Sequence, residues 1–332
     1  MGAGFGALPV LRLLTRTDRC DRKALWPPTR ASGRPASTVA APIARRVVPS
    51  PVKEVDALEF GAAMWEAGYV ATPELVDISR VAVGIGRPLL LEGPAGAGKT
   101  AFAQALAQVL HRPLIRLQCY EGIDAAQALY DWNYARQLAD LAQHRERDPF
   151  QPDYLLPRPL LRALLEPQGA VVLVDDVDRA DEAFEALLLE VLGEQQISIP
   201  EYGTVRAQGP VQAVLTSNRT RPLSDALRRR CLYQRLEWPD PEREVAILRR
   251  HLPDARQDVL ALVARMMERL RSWDLVKPPG VGESLDLVRA MDSLGVLSLD
   301  AAALRRLLGA VIKDARDWDA VVGRLEELLD AG

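Results

Sequence analysis

The chain has 332 residues, 48% of them hydrophobic, so it is long enough to bury a core and to form two domains. Its formal net charge of −3 argues against a protein that coats nucleic acid or an anionic membrane, and nucleic acid is not an expected partner. No apolar run approaches the roughly 20 residues that cross a bilayer, so no membrane span is predicted.

The cysteines and histidines indicate neither a disulfide framework nor a zinc site. Cys20, Cys119 and Cys231 are far apart and odd in number, which favours a reducing compartment, and we take this to be the cytoplasm. The three histidines show no metal-ligand spacing among themselves or with the cysteines.

Residues 1–50 differ in composition from the rest of the chain. They are rich in arginine, and Asp18 and Asp21 are the only acids before Glu54. Such a segment buries too little apolar surface to fold. We predict a disordered extension or a start codon assigned too far upstream, with an organellar targeting peptide as the alternative.

Residues 58–85 are predicted to form helices on either side of Gly68-Tyr69-Val70-Ala71. The second helix begins at Thr72-Pro73-Glu74, where threonine caps the helix and proline occupies its first turn.

A phosphate-binding motif follows directly after the apolar run 88–91. It has four free positions between a glycine and Gly-Lys-Thr, with a buried strand before it and a helix opening at Thr100 after it. Glycines let backbone N–H groups approach phosphate, and the helix directs its positive end toward the anion. A plain glycine-rich turn is the alternative, but the complete motif favours a P-loop. The predicted nucleotide-binding residues are Gly93, Pro94, Ala95, Gly96, Ala97, Gly98, Lys99 and Thr100.

The motif assigns a role to each of its last two residues. Lys99 would neutralise the β and γ phosphates of ATP, and the Thr100 hydroxyl would be a ligand of Mg²⁺. Tyr69 and Val70 precede the P-loop strand and either wall the adenine base or simply pack in the core.

The chain continues with a helix and a second strand at residues 114–117. Residues 118–157 give no clear periodicity. They are unusually aromatic, which is typical of a local core or an interface rather than a ligand site. The aromatic residues are Tyr120, Tyr130, Trp132, Tyr134, Phe150 and Tyr154.

Residues 170–174 form a continuous apolar run that ends in Asp175 and Asp176. Such a run is typical of a strand that is buried on both faces of a parallel sheet, and ligands bind at the carboxyl ends of these strands. Asp175 is therefore predicted to hold Mg²⁺ as the Walker B acid. The alternative is that these acids only cap the next helix.

Further elements follow in the order helix, hairpin, strand, short helix and strand. The hairpin spans residues 195–207, and the strand 211–215 ends close to Asn218, whose amide can orient water against the γ-phosphate. The short helix 223–230 ends in three arginines, which form either a solvated face or a contact with the nucleotide of a neighbouring subunit.

Only helical patterns follow Pro239, with the longest candidates at 242–251, 259–273, 283–294 and 299–312. We therefore predict an α/β domain over residues 51–238, with a five-stranded parallel sheet and helices on both faces, and a small helical lid domain over residues 239–332.

This order of parts resembles the AAA+ ATPases, and the motifs are closer to those of their MoxR branch. Residues 117–122, 178–186, 199–204 and 216–221 are similar to the subgroup associated with maturation of carbon monoxide dehydrogenase and related molybdenum hydroxylases. The resemblance covers about residues 55–332.

The resemblance implies ATP hydrolysis with Mg²⁺ in a homo-oligomeric ring, expected to be a hexamer. Asp176 would polarise the attacking water and Asn218 would sense the γ-phosphate. Arg230 would be the arginine finger that acts on the adjacent subunit, with Arg228 and Arg229 as alternatives. The hairpin near Tyr202 would face the pore and contact substrate.

The sequence departs from the family pattern in two places. Asp176 stands where the family usually has glutamate, so its carboxylate is about 1.5 Å shorter in reach, a displacement that can cost on the order of 10²-fold in rate. No arginine stands at the second sensor position near residues 279–284, and Arg289 lies further along that helix.

The implied function is that of a chaperone that helps a client metalloenzyme to receive its cofactor, beside a protein with a von Willebrand factor A domain. One alternative is an ATP-binding switch or scaffold with negligible hydrolysis because of Asp176. A third is a DNA-acting ATPase of the clamp-loader type.

Overall fold

A computed structural model describes residues 56–143, 148–200, 202–296 and 298–329. The predicted N-terminal extension, residues 1–50, lies outside the described residues.

A five-stranded parallel sheet forms the centre of the first part of the chain, with the strand order β2-β5-β8-β1-β9. These are the five strands that the apolar runs predict, and the fold class is confirmed. The strands are β1 (Leu89–Glu92), β2 (Leu114–Gln118), β5 (Ala170–Asp175), β8 (Val211–Ser217) and β9 (Leu232–Arg235).

Helices cover both faces of this sheet. The preceding helices α1 (Ala57–Glu66) and α2 (Pro73–Ile85) join α3 (Lys99–Val109) in a hydrophobic cluster on one face, which includes Val171 and Leu173. Val172 alternates with these two residues along β5 and therefore faces the other side, where α6 (Pro159–Leu165) packs. Strand β5 is consequently buried along its whole length.

The predicted helix start at Thr72 is confirmed. Its hydroxyl accepts a hydrogen bond from the Leu75 N–H at 3.3 Å, and Pro73 lies in the first turn, where its missing N–H carries no cost. This cap places Tyr69 and Val70 in the connection between α1 and α2.

The aromatic region that the sequence leaves unassigned folds into short elements between β2 and β5. The rings of Trp132 and Phe150 meet edge to face with centroids 5.4 Å apart, and the buried Tyr154 donates a hydrogen bond to Asp140 at 2.8 Å. Tyr130, Trp132, Phe150 and Tyr154 thus form a small local cluster around the buried Tyr154, whereas Tyr120 and Tyr134 are exposed. The elements are α4 (Ala125–Ala128), β3 (Tyr130–Trp132), α5 (Tyr134–Ala142), a 3₁₀ turn (Pro152–Tyr154) and β4 (Leu155–Pro157).

The predicted hairpin follows α7 (Glu182–Glu194). Its strands β6 (Gln196–Ile199) and β7 (Gly203–Arg206) pair antiparallel, and Gly203 has a φ of +109°, which a residue with a side chain rarely adopts. After β8, the arginine-bearing helix α8 (Asp225–Arg230) leads into β9.

The C-terminal part is helical and has its own hydrophobic cluster. The four predicted helices are present, and two shorter ones follow them, which are too short for a clear apolar periodicity. The boundary between residues 238 and 239 stays a prediction. The helices are α9 (Pro241–His251), α10 (Gln257–Ser272), α11 (Val281–Ser293), α12 (Ala301–Val311), α13 (Ala315–Val322) and α14 (Leu325–Leu329).

A buried ion pair ties α9 to α10. Both oxygens of the fully buried Glu244 accept hydrogen bonds from Arg271, at 2.6 and 2.9 Å, and the Ser284 hydroxyl of α11 donates to the same carboxylate. Loss of one partner from such a pair typically costs about 3–5 kcal/mol, because the other charge remains buried and unpaired.

None of the helices in the described ranges is both long and apolar enough to span a membrane.

Candidate functional site

The P-loop lies between β1 and α3, and α3 begins at Lys99, one residue earlier than predicted. The Lys99 ammonium is nearly buried and donates hydrogen bonds to the carbonyls of Gly93 (2.8 Å) and Pro94 (2.7 Å) and to Asn218 Oδ1 (2.7 Å). Burial lowers the pKa of Lys99, and the negative charges of neighbouring aspartates oppose that shift.

Asp175 ends β5 beside the P-loop helix. Its Oδ1 accepts a hydrogen bond from the Thr216 hydroxyl at 2.6 Å, and the Thr100 hydroxyl lies 3.3 Å from the same oxygen. Its Oδ2 accepts two hydrogen bonds from Arg116, at 3.0 Å from Nε and 2.6 Å from Nη2. The structure therefore brings the two predicted magnesium residues together and adds an arginine to them.

Asp176 has a φ of +55°, an uncommon conformation for a residue with a side chain. Its N–H donates to the Thr216 hydroxyl at 2.9 Å, which helps to hold this backbone. Its two carboxylate oxygens accept hydrogen bonds from Asn218 Nδ2 at 2.6 Å and from Gln118 Nε2 at 3.0 Å. Asn218 thus joins Lys99 and Asp176 in one hydrogen-bonded chain.

Asp178 supports Asn218 from behind. This buried carboxylate accepts hydrogen bonds from the backbone N–H of Asn218 (3.2 Å) and from the N–H and hydroxyl of Thr220 (2.7 Å each). The loop after β8 is therefore anchored to the turn after β5, which sets the position of the Asn218 amide.

The lid contacts the P-loop directly. The Val281 N–H at the start of α11 donates to the Gly96 carbonyl at 3.2 Å. Just before the lid, Trp238 Nε1 donates to the Ala95 carbonyl at 3.2 Å. Gly96 has a φ of +77°, and a Cβ on either Gly96 or Gly280 would lie 2.6 Å from the other residue's Cα. Two facing glycines thus allow the backbones of the P-loop and α11 to meet.

Tyr69 and Val70 lie beside this contact. The Tyr69 ring is buried against Phe102, with centroids 5.5 Å apart, and burial raises its pKa to about 12, although the charge of Arg243 opposes the shift. Its hydroxyl has no hydrogen-bond partner within the described part of the chain. The Val70 carbonyl accepts hydrogen bonds from Arg243 at 3.0 and 3.3 Å. Tyr69 belongs to the core and also borders the P-loop at Gly98, so its contact with adenine stays a prediction.

The three arginines of α8 lie apart from the Lys99–Asn218–Asp176 chain. Arg230 donates to the Leu189 carbonyl at 2.6 Å, and Arg228 lies 3.5 Å from Glu92. The Arg229 side chain makes no hydrogen bond or ion pair with another described residue. All three are exposed at the surface, where a second subunit could meet them.

Arg289 does not approach the P-loop along α11. It is exposed and pairs with Asp286 at 3.7 Å. It lies eight residues after Val281, or about 12 Å along the helix from the end that meets the P-loop.

The site includes four residues that the sequence did not predict. Thr216 bridges the two acids, Asp178 anchors Asn218, Arg116 binds Asp175, and Gln118 binds Asp176. A charged residue within the predicted apolar strand 114–117 was the one available signal for Arg116. Thr216 and Asp178 are revealed only by the pairing of β5 with β8.

The oxygen ligands of this site suit Mg²⁺. Hydroxyl and carboxylate groups are the hard ligands that Mg²⁺ prefers, and it usually takes one or two protein oxygens together with phosphates and water. No group of three or more His, Cys, Asp or Glu residues that could hold a metal by itself occurs among the described residues. Thr100 and Asp175 would therefore hold the ion jointly with a nucleotide.

Residues 88–231 match the family model described as the AAA domain of the dynein-related subfamily. This range contains the P-loop, both strand-end acids and the asparagine. Residues 88–231 are therefore an AAA+ ATPase domain, which uses ATP with Mg²⁺.

Several curated relatives are similar to much of the chain. Protein NorQ of Paracoccus denitrificans is 26% identical over 260 residues, which cover 74% of this chain and 88% of NorQ. The gas vesicle ATPase GvpN of Haloferax mediterranei is 27% identical over 56% of this chain and 57% of its own. The denitrification regulatory protein NirQ of Pseudomonas aeruginosa is 29% identical over 54% of this chain and 66% of its own. These relatives are AAA+ ATPases of the MoxR type, and the chain is similar to them at 26%, 27% and 29% identity.

Among solved structures, the RuvB Holliday junction branch migration motor of Thermotoga maritima is similar, with a TM-score of 0.43 and 17% identity over 81% of this chain and 74% of that one.

The contact between the P-loop and the lid predicts a steric effect at Gly280. A Cβ there would meet the Gly96 Cα at 2.6 Å, whereas a Cβ on Gly282 has open space. We expect Gly280→Ala to separate α11 from the P-loop and to weaken ATP binding about tenfold, a displacement effect of ordinary size. Gly282→Ala is the matched control and should bind ATP normally with slightly higher stability.

Titration with a fluorescent ATP analogue measures the affinity, and thermal unfolding reports stability for both variants. Equal affinity in the two variants would show that the lid contact does not support the nucleotide site.

Proposed function

We propose that this ATPase is a ring-forming remodelling chaperone that acts on a client metalloenzyme during cofactor insertion. The hydrogen-bonded chain from Lys99 through Asn218 to Asp176 is the observation that carries the nucleotide part of the proposal. It joins a phosphate-binding lysine to a candidate base through one amide, so that a change at the phosphate end alters the contacts of the acid.

Each residue of the chain has a role in hydrolysis under this proposal. Lys99 exchanges its contacts with backbone carbonyls for phosphate oxygens, Asn218 senses the γ-phosphate, and Asp176 polarises the attacking water. Thr100 and Asp175 would hold Mg²⁺, which neutralises charge on the phosphates when bound. The backbone of residues 93–98 supports the phosphates with its N–H groups.

Asp176 decides between an active motor and an occupancy switch. Both of its oxygens are held by amides, from Asn218 and Gln118, which fixes the carboxylate at the end of β5. An amide that has moved to the phosphate leaves an oxygen of Asp176 able to accept a proton from water. This arrangement favours hydrolysis over the switch, although the shorter side chain makes turnover slow.

We expect the native chain to hydrolyse ATP slowly and Asp176→Asn to lose hydrolysis by at least about 10²-fold with ATP binding intact, because a general base contributes about 10²–10⁴-fold. Lys99→Ala should fail to bind MgATP. Steady-state phosphate release and analogue titration measure the two effects. Absence of hydrolysis in both the native chain and Asp176→Glu, with binding retained, would favour the switch.

Arg230 is the proposed finger that completes the site of an adjacent subunit. It lies at the exposed end of α8 and is directed to the Leu189 carbonyl of its own chain. A residue that acts on a neighbour has no reason to approach the nucleotide of its own subunit, so this placement supports a ring, for which we propose six subunits.

A mixing experiment tests action between subunits. We expect Arg230→Ala and Lys99→Ala to be inactive alone and to regain part of the activity when mixed. The arginine of a Lys99→Ala subunit then completes the intact site of an Arg230→Ala neighbour. Arg229→Ala is the matched control and should remain active. If Arg229→Ala is instead the variant that is inactive alone and regains activity when mixed with Lys99→Ala, Arg229 is the arginine finger.

The client and partner assignments rest on the sequence motifs. The segments at residues 117–122, 178–186, 199–204 and 216–221 resemble those of ATPases that assist molybdenum hydroxylases such as carbon monoxide dehydrogenase. In keeping with a role beside redox enzymes, one relative is named as a denitrification regulatory protein. The half-buried Tyr202, which lies between β6 and β7, is a candidate client contact.

Copurification from the native host tests these partners. With Asp176→Asn in ATP as bait, we expect to recover a protein with a von Willebrand factor A domain and a molybdenum hydroxylase, identified by mass. Tyr202→Ala should reduce client recovery without changing ATP hydrolysis, and Lys99→Ala is the nucleotide-free control. Recovery of DNA whose binding falls steeply with salt would instead revive the clamp-loader alternative.

A further inference from the structure

Arg116 forms an ion pair with Asp175, the acid that is expected to hold magnesium. It lies on β2, two residues before Gln118, which pairs in register with Asp175 on β5. Its guanidinium donates two hydrogen bonds to a single oxygen, Asp175 Oδ2, at 3.0 and 2.6 Å. Arg116 Nη2 also donates to Gln118 Oε1, which steadies the side chain in this direction.

The carboxylate of Asp175 has no acceptor site to spare. A carboxylate offers about four lone-pair sites. Arg116 uses two on Oδ2, the Thr216 hydroxyl uses one on Oδ1 at 2.6 Å, and the Thr100 hydroxyl lies 3.3 Å from Oδ1. A magnesium-bound water that donates to this carboxylate therefore needs one of these donors to leave.

The exposure of the donors indicates which one leaves. Thr216 lies on β8 and is fully buried, and Thr100 is itself a proposed ligand of the ion. The Arg116 side chain is 54% exposed, whereas that of Asp175 is 6% exposed. Arg116 can move into water at low cost, because water replaces the hydrogen bonds that its guanidinium gives up.

Charge supports the same conclusion. Asp175, Asp176 and Asp178 lie within four residues at the end of β5, and Lys99 donates its side-chain bond there to neutral Asn218. Arg116 is the partner in the ion pair that Asp175 makes within the described residues. A buried carboxylate without a counter-charge is costly, so a cation that takes over from Arg116 must supply the same compensation.

We propose that Arg116 is a built-in counter-ion that competes with Mg²⁺ for Asp175 and thereby sets the Mg²⁺ concentration at which the ATPase loads its nucleotide. Arg116 is a positioning residue, because it acts on the nucleotide site through Asp175. This inference rests on the proposed role of Asp175 in the ATP site.

The test variant is Arg116→Gln, which removes the positive charge and keeps a hydrogen-bond donor. The readout is the Mg²⁺ concentration that gives half-maximal enhancement of fluorescent ATP-analogue binding, with Mn²⁺ binding followed by electron paramagnetic resonance as a second measure. We expect the half-saturating Mg²⁺ concentration to fall by about tenfold, because the charge-assisted hydrogen bonds that compete with the ion for Asp175 are lost. Arg116→Lys keeps the charge without the two-pronged geometry. Its half-saturating Mg²⁺ concentration should lie between those of the native chain and Arg116→Gln.

Arg316→Gln is the matched control. It removes an arginine that pairs with Asp314 at 3.0 Å in the C-terminal helical region, and it should leave the Mg²⁺ dependence unchanged. Half-saturation that is unchanged or higher in Arg116→Gln, with Arg116→Lys equal to the native chain, would overturn the proposal.

MgATP binding by the native chain separates failure of the proposed function from failure of the role of Arg116. If the native chain binds no MgATP, the proposed function fails. If it binds MgATP but no Arg116 variant alters the Mg²⁺ requirement, only the role of Arg116 fails. Should Arg116→Gln not fold, as shown by circular dichroism, the intermediate value expected for Arg116→Lys still decides the question.

Discussion

The pairing of β5 with β8 is the constraint on which the nucleotide site depends. Because the strands are parallel, their carboxyl ends meet at one edge, and the polar residues that end β5 lie beside those that end β8. Thr216 then reaches both acids, donating to Asp175 and accepting from the Asp176 N–H. Movement of either strand by one residue would reverse the face of every side chain along it, and this bridge would be lost.

The charges at this edge are arranged so that few of them lack compensation. Asp178 accepts backbone and hydroxyl hydrogen bonds, Asp176 accepts two amides, and Asp175 is paired with Arg116. Compensation by exchangeable donors suits a site that must later receive a polyanion and its cation. If these acids were permanently neutralised, the cation would gain less binding free energy from its contact with them.

The lid and the P-loop form a second linked unit. Backbone contacts from Val281 and the indole of Trp238 hold the P-loop carbonyls, while Arg271 lies over the Trp238 ring and pairs with the buried Glu244. Displacement of the P-loop carbonyls would therefore alter the contacts of two lid helices, α11 through Val281 and α10 through Arg271. This continuity offers a physical route from nucleotide to lid, since packed and hydrogen-bonded contacts transmit displacement.

The sequence by itself determined the five strands, the P-loop, the hairpin and the main helices, because apolar periodicity and local motifs depend on residues close together in the chain. It also placed Lys99, Thr100, Asp175 and Asn218 near one another, since the ends of parallel strands share an edge. Only the tertiary structure revealed Thr216, Asp178 and Arg116, whose partners lie between 40 and 59 residues away. Such contacts depend on strand order and register, which no local pattern encodes. The contact between Gly96 and Gly280 has the same origin. Each must be a glycine because a Cβ on either residue would lie 2.6 Å from the Cα of the other.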